Sequence, residues 1–257
     1  MAVPDLPVHR FASFDGVELA WRELGAGRPV ILLHGLFSNA YVNWIKFGTA
    51  ARIAEAGFRV IMPDLRAHGD SAAPHDPAAY FDDVLARDVE ALVAHLELDD
   101  FDLGGFSLGS RTTVRAVLCG MKPRRIVLGG MGLEGLAGWR NRKRFFLDAI
   151  AMANTAKRGD PHWLSIQFMK TMKIDTVAAT LLLATFADTD PKDLAALTMP
   201  TLLVCGSEDD DNGSAASLQA AMPDARLVTV PGTHMSSVAS SGMGEAIADF
   251  LSQPLDR

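Results

Sequence analysis

The sequence predicts an α/β domain built on a mostly parallel sheet of eight strands with helices on both faces. Short strand-like runs alternate with helix-length segments, which implies right-handed crossovers between parallel strands. The runs are continuously apolar, as in Pro29-Val-Ile-Leu-Leu33, and such strands belong in a sheet covered on both sides. Gly105-Phe-Ser-Leu-Gly109 joins one of these runs to a helical one, the setting in which a sharp strand-to-helix turn lifts a serine hydroxyl above the sheet edge.

Taken in order, Phe11–Gly16 and Val17–Leu24 read as two hairpin strands around the turn dipeptide Asp15-Gly16. Pro29–Leu33 is the third strand. Tyr41–Ala56 has helical spacing and stops at Gly57, and Phe58–Met62 is a strand closed by Pro63-Asp64. Phe81–Leu98 is an amphipathic helix, followed by a strand at Phe101–Gly105, a helix at Leu108–Met121 and a strand at Arg125–Gly129. Between Leu133 and Thr198 the alternation breaks into three or four helices. Strands resume at Thr201–Cys205 and Arg226–Val230, and Gly244–Leu251 closes as a helix. The division is a core of residues 1–132 and 199–257, with a helical cap of residues 133–198 inserted after the sixth strand.

With 257 residues and 49% apolar content the chain can bury a sizeable core, either as one large domain or as one domain with an insertion. A formal charge of −7 argues against nucleic acid or an anionic membrane as partner, since both favour a basic face. A small-molecule partner fits better, and the oligomeric state is open. No apolar run approaches the roughly 18 residues of a membrane span, and Met1–Arg10 lacks a secretory core, so a cytoplasmic location is expected. The two cysteines, Cys119 and Cys205, make neither a metal pattern nor a disulfide framework and read as buried thiols.

Further segments line up with Ser107: Gly206-Ser-Glu-Asp209 after the strand at 201–205, and Pro231-Gly-Thr-His234 after the strand at 226–230. Loops beyond the carboxyl ends of parallel strands open on one edge of a sheet, so Ser107, Asp209 and His234 can converge. Together with His34-Gly35-Leu36 and Asp64-Leu-Arg-Ala-His-Gly-Asp-Ser71, these motifs make the chain resemble the α/β-hydrolase superfamily over nearly its whole length, in the chain order Ser, Asp, His. The resemblance implies that Ser107 is the nucleophile, His234 its general base and later the acid, and Asp209 the residue orienting the imidazole. It also implies an oxyanion hole of the Leu36 and Leu108 backbone N–H groups, with Phe37 as the alternative to Leu36. The acidic run Asp209-Asp210-Asp211 also reads as a solvated loop, and Glu134, after the sixth strand, is a second place for the acid. His34 and His68 are expected to brace loops.

In the cap, Phe145, Phe146, Trp163, Phe168, Met169, Met172, Leu182 and Phe186 recur at helical spacing; most should bury the cap against the body and a few should line a pocket. Arg140, Arg142, Lys143 and Arg144 read as a solvated basic face rather than an anion site. The expected activity is hydrolysis of small, fairly apolar carboxylic esters through an acyl-enzyme, with no metal or organic cofactor. A serine nucleophile speaks against epoxide opening and halide displacement. Lactone, thioester and carbon–carbon bond hydrolysis and perhydrolysis remain compatible. So does a small-molecule receptor with slow or no hydrolysis.

Overall fold

The computed structural model describes residues 5–254. Its strands are β1 (His9–Ala12), β2 (Glu18–Leu24), β3 (Arg28–Leu33), β4 (Phe58–Pro63), β5 (Asp102–Phe106), β6 (Ile126–Gly129), β7 (Thr201–Gly206) and β8 (Ala225–Val230). They form one sheet in the order β1-β2-β4-β3-β5-β6-β7-β8. Only β1–β2 and β2–β4 pair antiparallel; the other five pairings are parallel. The mostly parallel eight-stranded sheet read from the sequence is therefore the one observed.

The helices are α1 (Thr49–Glu55), α2 (Val84–His95), α3 (Leu108–Leu118), α4 (Leu133–Ala137), α5 (Trp139–Ala151), α6 (Trp163–Thr171), α7 (Thr176–Ala184), α8 (Ala215–Ala221) and α9 (Ser241–Ser252). Along β3, Val30 and Leu32 pack into the core with α1 and α9, whereas Ile31 and Leu33 pack into the core with α2 and α3. This two-residue alternation between two apolar layers is why the central strands carry no polar face.

The segment read as one helix over 41–56 is broken. A wide turn of π-helix at Tyr41–Ile45 precedes α1, and Gly48 between them takes φ 85°, a left-handed conformation that interrupts the helical ladder. Cys119 also departs from expectation. Helix α3 ends at Leu118, which leaves Cys119 exposed at its carboxyl end, with its thiol 3.7 Å from the Asp83 carboxylate; only Cys205 is buried.

Helices α4 to α7 lie between β6 and β7. They bury a cluster of their own, including Trp139, Ile166, Met169 and Leu183, against Phe37 in the loop after β3. Asp175 begins α7 by accepting hydrogen bonds from the N–H groups of Val177 and Ala178, each at 3.0 Å, and it also meets His75 of the body at 2.8 Å. Of the apolar side chains expected in this segment, Met169 and Leu182 are buried while Phe145 stays exposed. No helix among the described residues is long and apolar enough to cross a membrane.

Candidate active site

Ser107 stands between β5 and α3 with φ 53° and ψ −108°, a conformation that is strained for a residue with a side chain. The strain is held by close approach. A Cβ on Gly105 would lie 2.3 Å from the Gly109 carbonyl carbon, and one on Gly109 would lie 2.1 Å from the Leu33 carbonyl oxygen. Glycine at both positions lets α3 start hard against the sheet. The Ser107 N–H donates to the Gly129 carbonyl at 2.8 Å, fixing the turn to β6.

Parallel register brings the other two residues to the same edge, since β7 and β8 end in step with Gly206 opposite Val230. The two loops that follow join through His234, whose Nδ1 lies 3.0 Å from both carboxylate oxygens of Asp209. The Asp209 side chain is 2% exposed. The imidazole packs on the ring of Phe106, directly before Ser107, with centroids 4.9 Å apart. Among the described residues the Ser107 hydroxyl has one side-chain partner, Asn212 Nδ2 at 3.4 Å, and no hydrogen bond joins it to His234. Glu134 is elsewhere: its carboxylate accepts the Ser214 N–H at 2.8 Å, in front of α8.

Two buried histidines hold the loop after β3. His34 Nδ1 donates to the Gly35 carbonyl at 2.8 Å and its Nε2 accepts the Leu65 N–H at 2.9 Å; His68 Nδ1 donates to the Arg66 carbonyl at 2.9 Å and its Nε2 accepts the Phe37 N–H at 3.0 Å. The Phe37 N–H is thereby occupied by His68. Arg66, fully buried, ties the neighbouring loop to Asp88 and Asp15 through paired bonds of 2.7 to 3.0 Å.

Burial pushes the imidazoles down from the ordinary 6.5, His34 to about 4 and His68 to about 3, the latter helped by its neighbour His34. The unfolded chain therefore binds two protons below pH 6.5 that the folded chain refuses. Stability falls as pH drops from 6.5 toward 4, approaching a slope of about 2.7 kcal/mol per pH unit once both unfolded imidazoles are protonated. Urea unfolding midpoints measured at pH 7, 6 and 5 should show this decline; a flat profile would mean that these rings are protonated in the folded protein.

A narrow cleft opens beside Ser107, lined by Leu36, Leu108, Met131, Trp139, Phe146 and Phe186 together with three polar side chains, Arg111, Arg142 and Asn212. Sequence reasoning missed Asn212. Its Nδ2 also donates to the Gly130 carbonyl at 2.7 Å, and its Oδ1 accepts from Arg142. Its only signal was proximity to Asp209, inside a run that reads as a solvated loop. Arg142 was read as part of a solvated face, and it lines the cleft instead. Among the described residues no cluster of histidine, cysteine and carboxylate side chains could hold a metal ion.

A family model for the alpha/beta hydrolase fold matches residues 28–126. The chain is 30% identical over 281 residues to a non-heme haloperoxidase of Rhodococcus erythropolis, spanning 94% of this chain and 95% of that protein. Among solved structures, a bromoperoxidase from Bacillus anthracis superposes with a TM-score of 0.73 at 22% identity, covering 96% of this chain and 100% of that one. A thermophilic esterase from Thermogutta terrifontis gives a TM-score of 0.72 at 23% identity, covering 95% and 98%.

Proposed function

The chain belongs to the α/β-hydrolase superfamily, and on that premise we propose that it is a serine hydrolase cleaving small carboxylic esters through an acyl-enzyme. The observation that carries this reading is the Asp209–His234 pair at 3.0 Å, set at the sheet edge where the strained turn presents Ser107. A serine hydroxyl is a weak nucleophile at neutral pH and needs a base whose tautomer is held and whose charged form is stabilised.

In the first half-reaction Ser107 Oγ attacks the ester carbonyl carbon while its proton passes to His234 Nε2. The carbonyl oxygen becomes an oxyanion and accepts the N–H groups of Leu36 and Leu108, each worth on the order of 3 kcal/mol to the transition state. The carbon–oxygen bond to the alcohol then breaks, and His234 returns its proton to the departing alkoxide. In the second half-reaction His234 takes a proton from water, the hydroxide adds to the acyl carbon, and Ser107 leaves with the proton. Helices α4 to α7 act as a cap that closes over the cleft, with Met131, Trp139, Phe146 and Phe186 packing on the apolar part of the substrate.

Full-length likeness to a non-heme haloperoxidase favours a second reading on the same residues: perhydrolysis, in which hydrogen peroxide replaces water in the second half-reaction and the product is a peracid. A fluorophosphonate probe tests the shared step. Labelling of the wild type at Ser107 that is absent in Ser107→Ala supports the acyl-enzyme, whereas a folded, unlabelled wild type favours a receptor. Peracid formation on adding peroxide and ester then separates the two enzymatic readings.

A further inference from the structure

We propose that the cleft beside Ser107 binds an acyl substrate that carries a carboxylate, held by the guanidinium of Arg142, with Arg111 as a second cation behind it; this rests on the serine-hydrolase reading above. Arg142 differs from its neighbours on α5. Arg140 and Arg144 pair with Asp188 at 3.7 Å and Asp148 at 2.7 Å as members of an exposed face. Arg142 turns inward, lies against the ring of Phe146, and finds only the neutral oxygen of Asn212.

Arg111 is 4% exposed and its hydrogen bonds go to the carbonyl oxygens of Gly135, Leu136 and Ala187. Among the described residues, neither guanidinium has a carboxylate within 4 Å. Of the acids nearest Arg142, Asp209 is engaged by His234 and Asp211 is exposed. Burial pushes Arg111 down to about 10 and lowers Arg142 as well; at Arg111 the charges of Asp188 and Asp83 offset part of that cost, and those of Arg115 and Arg142 add to it.

Two partly or fully buried cations in one cleft, neither in contact with a carboxylate, are costly, and an anion bound between them would lower that cost. A carboxylate supplies two acceptor oxygens and the compensating charge, and a planar guanidinium suits it in a bidentate pair.

The position of Arg142 also restricts the length of the substrate. Asn212 bridges Arg142 to Ser107, Oδ1 accepting from one and Nδ2 donating to the other at 3.4 Å, so the guanidinium is one amide group and two hydrogen bonds from the nucleophile. An anion bound there lies a few bonds from the scissile carbonyl. That suits a half-ester of a short dicarboxylic acid, or a lactone bearing a carboxylate.

The experiment compares monomethyl glutarate with the methyl ester of glutaric acid monoamide, its neutral isostere, by methanol release. The wild type should favour the charged ester at least tenfold in kcat/KM. Arg142→Gln should erase that ratio, mainly by raising KM for the charged ester, and Arg142→Lys should restore part of it. Equal rates on both esters in the wild type would overturn the proposal. So would an Arg142→Gln variant that slows both equally, which would make Arg142 a support for Asn212 alone. Calorimetric binding of glutarate to Ser107→Ala separates the two layers of inference. Arg142-dependent glutarate binding together with a folded wild type that fluorophosphonate does not label would sink the hydrolase reading and keep the anion site. Labelling of the wild type without glutarate binding would do the reverse.

Discussion

Ser107→Ala should lower kcat on a short-chain nitrophenyl ester by on the order of 10⁶-fold, the size of effect seen when a serine nucleophile is removed from a triad that works as a unit. The residual rate would come from oxyanion donors and binding, which survive the substitution. Folding should be nearly unaffected. Alanine keeps the Cβ and the same strained φ of 53°, and the only side-chain hydrogen bond lost among the described residues is the 3.4 Å contact with Asn212. Loss of stability should therefore stay within about 1 kcal/mol. A variant that folds and still turns over within tenfold of the wild type would remove Ser107 from the chemistry.

Asp209→Asn should cost about 10⁴-fold in kcat while leaving KM close to its starting value. The carboxylate accepts the His234 Nδ1–H through both oxygens at 3.0 Å, which leaves Nε2 free to receive the serine proton. An amide at that position can donate to Nδ1 instead, favouring the tautomer with a proton on Nε2, and it cannot stabilise the imidazolium formed during attack. Glu134→Gln is the matching control. Its carboxylate accepts the Ser214 N–H at 2.8 Å, so the expected result is a loss of about 1 kcal/mol in stability with turnover retained. Steady-state kinetics and urea unfolding on both variants decide the matter: abolished turnover in Glu134→Gln alone would refute the assignment of Asp209.

Much of the fold is legible in the chain because each central strand must be apolar on both faces, and few sequences other than strands of a covered sheet look like Pro29–Leu33. Helix ends are less legible. Gly48 breaks a periodic apolar segment by adopting φ 85°, and the exposure of Cys119 follows from α3 ending at Leu118, three residues before the expected Met121. The contact of His234 with Asp209 rather than Glu134 followed from position after particular strands, since parallel pairing carries the ends of β7 and β8 to one edge.

By itself the sequence determined the α/β architecture, the strained turn at Ser107 and the loops from which its partners come, because strand periodicity and the steric demand for glycine at 105 and 109 are local properties. Only the tertiary structure decided that His68 occupies the Phe37 N–H, that Asn212 touches the serine, and that Arg142 leaves a basic helix face to line the cleft. Those outcomes depend on which donors and charges packing removes from water, and that is set by neighbours dozens of residues away.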